Sequence, residues 1–102
     1  MRAAWYEQQG PAETVLKVGE MPAPTAGPGE VRIRLAASGV NPADVKLRSG
    51  KSNYGHAFDR VIPNSDGAGI VDQAGPGVQP SWVGKRVWLV NGQRLGRAFG
   101  TA

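Results

Sequence analysis

Apolar and polar positions alternate most regularly over residues 31–37, with Val31, Ile33, Leu35 and Ala37 on one side and Arg32, Arg34 and Ala36 on the other. That period of two predicts a half-buried strand. Shorter apolar runs at 2–6 (RAAWY) and 14–18 (TVLKV) flank the turn-rich QQGPAE and predict an opening hairpin. Residues 21–30 carry Pro22, Pro24 and Pro28 with Gly27 and Gly29, which predicts an extended surface connection ending in a Pro28-Gly29 turn. After Ser38-Gly39-Val40 the chain reads Asn41-Pro42-Ala43-Asp44. An Asn side chain accepts from an early helix N–H, Pro is tolerated at the first helical position, and Asp complements the helix dipole. A short helix through Arg48, closed at Gly50, follows from that. Residues 51–60 (KSNYGHAFDR) have no period and predict an exposed loop able to line a cleft. Small residues from Asn64 to Gly69 permit close backbone approach at the entry of a strand running toward Gln73. Gly75-Pro76-Gly77 marks a turn, and Arg86–Val90 reads as a strand closed by Asn91-Gly92.

Composition narrows the fold. A length of 102 residues suits one domain, and 15 Gly with 8 Pro scattered between short apolar runs point to many turns joining short strands. The expected class is mainly β with a few short helices. There is no Cys and one His, which excludes disulfides and thiolate sites and leaves too few ligands for an ordinary zinc site. No apolar stretch approaches the roughly 20 residues of a membrane helix, and the N-terminus lacks the apolar run of a signal peptide, so the expectation is a cytoplasmic chain. The net charge of +4 is uneven: residues 73–102 hold Lys85, Arg86, Arg94 and Arg97 and no acid. A solvated face is the ordinary outcome of such an excess. A self-standing basic β-module binding nucleic acid or another anionic partner is the alternative, with Trp82 and Trp88 expected to pack the barrel or its edge. The ending at 96–102 has no cap, turn or polar tail and reads as an interrupted domain.

Three words in order, EMPAPTAGPGEVRIRLAASGVNPADVKLRSG, IPNSDGAGIVDQAGPGV and VGKRVWLV, resemble the N-terminal half of a medium-chain dehydrogenase/reductase. The likeness is to its zinc-less quinone oxidoreductase (zeta-crystallin-like) branch and runs from about Ala3 to the end. It implies that residues 1–102 form a GroES-like, partly open β-barrel, the substrate-side domain. The Rossmann domain that binds NADPH in complete members would be absent from this chain. It further implies hydride transfer from NADPH to a quinone or activated enone, a fragment inactive by itself, and a homodimeric parent. In zinc-dependent relatives a Cys ligand stands where this chain has Asn41, and a Gly-His-Glu word where it has Asn64-Ser65-Asp66. The resemblance therefore implies zinc-independent chemistry, in which close stacking of donor and acceptor rings replaces a Lewis acid.

By the same resemblance Asn41 and Asp44 lie near the nicotinamide as catalytic and cofactor-binding residues, although capping alone accounts for both. Lys46 stands where some relatives carry a cofactor-touching Tyr and is a candidate cofactor-binding cation, or a solvated helix lysine. Ser65 and Asp66 match the branch's Ser-Asp and become substrate-cleft candidates. Asn64 replaces the usual preceding Gly, and a turn-stabilising carboxylate is an equal reading of Asp66. Tyr54 can stack on a ring and His56 can relay a proton from the cleft loop. Gly67-Ala68-Gly69 is not a dinucleotide fingerprint: Asp72 stands at the third Gly position and no helix pattern follows. A tight strand entry accounts for it.

Overall fold

The computed structural model describes residues 1–50, 59–92 and 100–102. Among these residues, five strands and two short α-helices follow one another as β1 (Arg2–Trp5), α1 (Ala12–Val15), β2 (Lys17–Glu20), β3 (Val31–Gly39), α2 (Pro42–Ser49), β4 (Asp66–Ala74) and β5 (Arg86–Leu89). A single 3-10 turn, Pro80–Trp82, precedes β5. The class is mainly β, as the turn chemistry predicted.

β1 and β2 pair antiparallel from Arg2↔Glu20 to Trp5↔Lys17. The predicted hairpin exists, but its second strand starts at Lys17 because Pro11 opens a helical turn over Ala12–Val15. Pro suits the start of a helix, and the apolar run 14–18 is split between the two elements. β4 lies between β3 and β5 in an antiparallel three-stranded sheet. Regular alternation along β3 is interrupted twice: register shifts fall between Arg32 and Ile33 and between Leu35 and Ala37. The extra residue of each bulge re-aims the side chains after it, which is why the clean two-sided strand of the sequence pattern is not realised. At the first bulge Arg32 Nε donates to Asp72 Oδ1 at 2.8 Å. Both groups are partly solvated, so this pair contributes about 1 kcal/mol or less.

The Pro-rich connection 21–30 carries neither helix nor strand, as predicted. Side chains tie it down: Gln73 Oε1 accepts Ala26 N–H at 2.8 Å and Glu30 Oε1 accepts Gly27 N–H at 3.0 Å.

Fully enclosed apolar side chains are few. Tyr6, Val15 and Val61 form one cluster, and Val71, in the central strand, is 1 % exposed. Of the tryptophans expected to pack the barrel or its edge, Trp88 stands on β5, an edge strand of the three-stranded sheet, with its side chain turned outward. Trp88 is 86 % exposed, because β5 turns Val87 and Leu89 inward and so turns residue 88 out. Trp82 carries Lys85 Nζ at 4.9 Å from its ring centroid.

Candidate functional site

Antiparallel pairing places Gly39, the last residue of β3, opposite Asp66, the first of β4. Asn41, two residues further on, caps α2 and thereby reaches Asp66. Its Nδ2 donates to Asp66 Oδ2 at 2.6 Å. The other oxygen, Oδ1, accepts the backbone N–H of Asn91 at 3.2 Å. Next to it, the backbone carbonyl of Ser65 accepts Gly92 N–H at 2.6 Å. Three segments distant in sequence thus converge on one carboxylate.

The helix start is built as the sequence predicted. Asp44 Oδ2 accepts the backbone N–H of Asn41 at 2.8 Å, one half of a capping box whose other half turns the Asn41 side chain to the Asp44 backbone, and Asp44 N–H donates to the Asn41 carbonyl at 3.0 Å. The Asn41 amide nitrogen, a donor for which the N–H groups of a helix start have no use, goes to Asp66. Asp44 is 8 % exposed, so its carboxylate holds Asn41 in place from within. At the other end Gly50 takes a left-handed φ of 83° and closes the helix, the conformation that favours glycine. Gln9 Nε2 donates to the Leu47 carbonyl at 2.7 Å, and Arg48 donates to the Gly10 carbonyl at 2.5 Å. Both ends of α2 are therefore anchored.

Asn64 resolves the departure from Gly noted in the sequence. Its φ is 72°, and Asn is the residue that tolerates the left-handed region best after Gly. From it runs a chain of hydrogen bonds: Asn64 Nδ2 donates to Ser38 Oγ at 2.9 Å, Ser38 to Thr101 Oγ1 at 2.7 Å, and Thr101 Oγ1 to the Asp66 carbonyl at 2.7 Å. Thr101 N–H also donates to the Asn64 carbonyl at 2.9 Å.

Of the predicted site residues, Asn41, Asp44, Ser65 and Asp66 come together. Lys46 does not join them. It lines an open groove of about 790 Å³ with Gly10, Pro11, Pro42 and Val45. Tyr54 and His56 lie outside the described residues. Asn91, Ser38 and Thr101 were missed: Asn91-Gly92 was legible as a turn, but nothing local says that its N–H meets a carboxylate 25 positions earlier.

Tyr6 is 2 % exposed. Burial raises its phenol above the ordinary value; Arg48 nearby opposes the rise and Asp44 adds to it. In the unfolded chain the phenol ionises near pH 10. The stability it contributes is complete below that pH and lost as pH rises through the higher folded value. In urea titrations from pH 8 to 11.5, wild type should lose stability more steeply above about pH 10 than Tyr6→Phe. Superimposable pH profiles would refute the burial argument.

On the surface, the Glu7 carboxyl is held below its usual range, first by its hydrogen bond from Lys17 and then by that from Trp5.

Comparison with known proteins agrees with this architecture. The family described as alcohol dehydrogenase GroES-like domain matches residues 27–99. A dehydrogenase of Emericella nidulans is 36% identical over 88 residues, 84% of this chain and 23% of that protein. The quinone oxidoreductase of Rattus norvegicus is 33% identical over 88 residues, 86% of this chain and 26% of its own length. Among solved structures, a mycobacterial quinone oxidoreductase superposes with a TM-score of 0.75 at 33% identity, covering 90% of this chain and 29% of its own. A mycobacterial structure complexed with NADPH gives the same TM-score of 0.75. A cobalt- and zinc-bound alcohol dehydrogenase of Pyrobaculum aerophilum gives 0.76 at 40% identity, covering 86% of this chain and 25% of its own. The chain spans about a quarter of the length of these relatives. It belongs to the alcohol dehydrogenase GroES-like domain family of the medium-chain dehydrogenases/reductases, with quinone oxidoreductases among its relatives.

Proposed function

We propose that this domain is the substrate-side wall of an NADPH-dependent, zinc-independent oxidoreductase that reduces a quinone or activated enone, the nicotinamide being held mainly by a Rossmann domain outside residues 1–102. The observation that carries the reading is the Asn41–Asp66 hydrogen bond of 2.6 Å. Asn41 and Ser65 stand where the resemblance places the zinc ligands of zinc-dependent relatives, and the Asn41 amide donates to Asp66, the residue next to Ser65. Among the described residues no three His, Cys, Asp or Glu side chains cluster to hold a metal.

A nicotinamide cofactor fits the residues present. The groove beside Lys46 offers a cation for a phosphate and the apolar walls of Pro42 and Val45. A bound NADPH supplies the hydride. This chain's part is to orient: Asn41 directs a hydrogen-bonding amide at the site, Asp44 holds Asn41, and Lys46, in a groove apart from that cluster, attracts the cofactor's anionic end. Positioning of this kind is the larger share of catalysis where donor and acceptor rings must stack.

The test is an assay of the protein expressed from its whole reading frame, with NADPH against a quinone and enone series and with secondary alcohols plus oxidised cofactor. Quinone reduction that persists in a strong chelator is expected. Alcohol oxidation abolished by the chelator and restored by zinc would sink the proposal.

A further inference from the structure

Two features at the site are not explained by capping or by strand pairing. One is the engagement of both oxygens of a single carboxylate: Asp66 Oδ2 takes the Asn41 amide at 2.6 Å and Oδ1 the Asn91 N–H at 3.2 Å. The backbone carbonyl of the same residue takes the Thr101 hydroxyl at 2.7 Å. The other is backbone strain. Among the described residues, those other than glycine with left-handed φ are Asn64 at 72° and Asn91 at 55°, and both lie against Asp66. Residues with a Cβ keep such a conformation where the surroundings over-determine it, and these positions gather at functional sites.

We propose that Asp66 is a positioning residue whose carboxylate dictates the orientation of the Asn41 amide and locks the Asn91–Gly92 turn in place as a further wall of the site. A carboxylate only accepts hydrogen bonds, so it compels Asn41 to turn Nδ2 toward it and Oδ1 away, toward the start of α2. An amide free to rotate by half a turn would present donor and acceptor interchangeably to a substrate carbonyl. Asp66 removes that ambiguity. The same charge holds the Asn91 N–H, and the adjoining Gly92 N–H reaches Ser65 at 2.6 Å, so the turn cannot leave without breaking both bonds. Asp66 thereby acts through its neighbours, in line with the turn-stabilising reading that the sequence left equal to a place in the substrate cleft. The catalytic consequence rests on the function proposed above; the structural one does not.

Asp66→Asn keeps the shape and removes the charge, which guards against simple unfolding. In the 102-residue chain, NMR-detected exchange of the Asn91 N–H should become about tenfold faster. The Asn41 side-chain amide resonances should shift. Exchange of Val71 N–H, which donates to Lys85 in the sheet at 3.0 Å, should stay as in wild type. Unchanged Asn91 and Asn41 signals, or equal acceleration at Val71, would overturn the proposal. In the quinone-reducing enzyme the same variant should lower kcat about tenfold with KM within about twofold. A KM defect alone would also overturn it, since that is the signature of direct substrate contact. If wild type reduces no quinone, the function proposed above fails while the exchange measurement still decides the role of Asp66.

Discussion

Replacing Gly69 by alanine should lower the thermal midpoint by about 12 °C or more, the equivalent of about 3 kcal/mol in a domain of this size. Gly69 sits in the central strand, opposite Leu35 on one side and Val87 on the other. A Cβ there would meet the Arg34 carbonyl oxygen, with the Arg34 carbonyl carbon at 2.8 Å and the Leu35 Cα at 2.9 Å. All three are backbone atoms of a paired strand, so no side chain can swing away to make room. The clash lies beside the second bulge of β3, where Ala36 is left without a partner in the register. Relief would mean pulling β3 off β4 at the point that aligns Gly39 with Asp66, and so the site would suffer with the sheet. Overpacking commonly costs about 1–3 kcal/mol even where neighbours yield; here they are fixed. Gly77→Ala separates the two ways glycine can matter. Gly77 has φ 81° with nothing within 4 Å of an added Cβ, so it should lose only the left-handed penalty, about 1–2 kcal/mol. Differential scanning calorimetry of both variants checks the ordering. Equal losses would mean that backbone conformation, and not close approach, sets the need for glycine in this sheet.

The close approach at Gly69 was legible in Asn64–Gly69 because a run of small residues at a strand entry has few other physical uses. So were α2 and its cap at Gly50, where Pro, Asp and Gly each act within a turn of their own position. The opening hairpin was half legible: an apolar run of five residues does not reveal that Pro11 will spend its first part in a helical turn. Strand alternation predicted β3 but not its bulges, since an extra residue is set by the partner strand and leaves no mark on its own sequence. The same limit applied to the site. Asn41, Asp44 and Asp66 were nameable from residue type and resemblance, but their arrangement is tertiary. Asn41 was legible as a cap, and it is one, but nothing local says that its amide nitrogen serves a residue 25 positions later. Asn91, Ser38 and Thr101 are joined to the site by hydrogen bonds of long sequence separation, which no local pattern encodes. Trp88 shows another limit: aromatic character suggested packing at the barrel or its edge, whereas strand parity decided that the side chain faces outward.

Tyr6→Ala should cost about 3–5 kcal/mol, the range for removing a buried aromatic side chain. Tyr6 is the largest member of the cluster with Val15 and Val61, and its backbone exchanges two hydrogen bonds of 2.9 Å with Val61. Those bonds survive the substitution; what is lost is the ring that fills the space against Val15 and Val61. Val15 belongs to the helical turn that follows Pro11, and Val61 leads directly into Ile62–Asn64, where the 100–102 segment docks. The cavity would therefore open where β1, α1 and the approach to Asp66 meet, and few other enclosed apolar side chains exist to collapse into it. Tyr6→Phe retains the ring and should lose only about 1 kcal/mol, the usual net worth of a hydroxyl's interactions. In urea unfolding the midpoint should fall sharply for the alanine variant and slightly for the phenylalanine variant, with the m-value unchanged in both. Hydrogen exchange along α2 should accelerate in Tyr6→Ala alone, since the Tyr6 ring lies near enough to Asp44 and Arg48 of that helix to feel both charges, while Gln9 and Arg48 pin only its far end. If Ala and Phe at position 6 proved equally stable, the cluster would not be the support of α2, and the orientation of Asn41 would have to rest on its hydrogen bonds to Asp66 and Asp44 without help from the core.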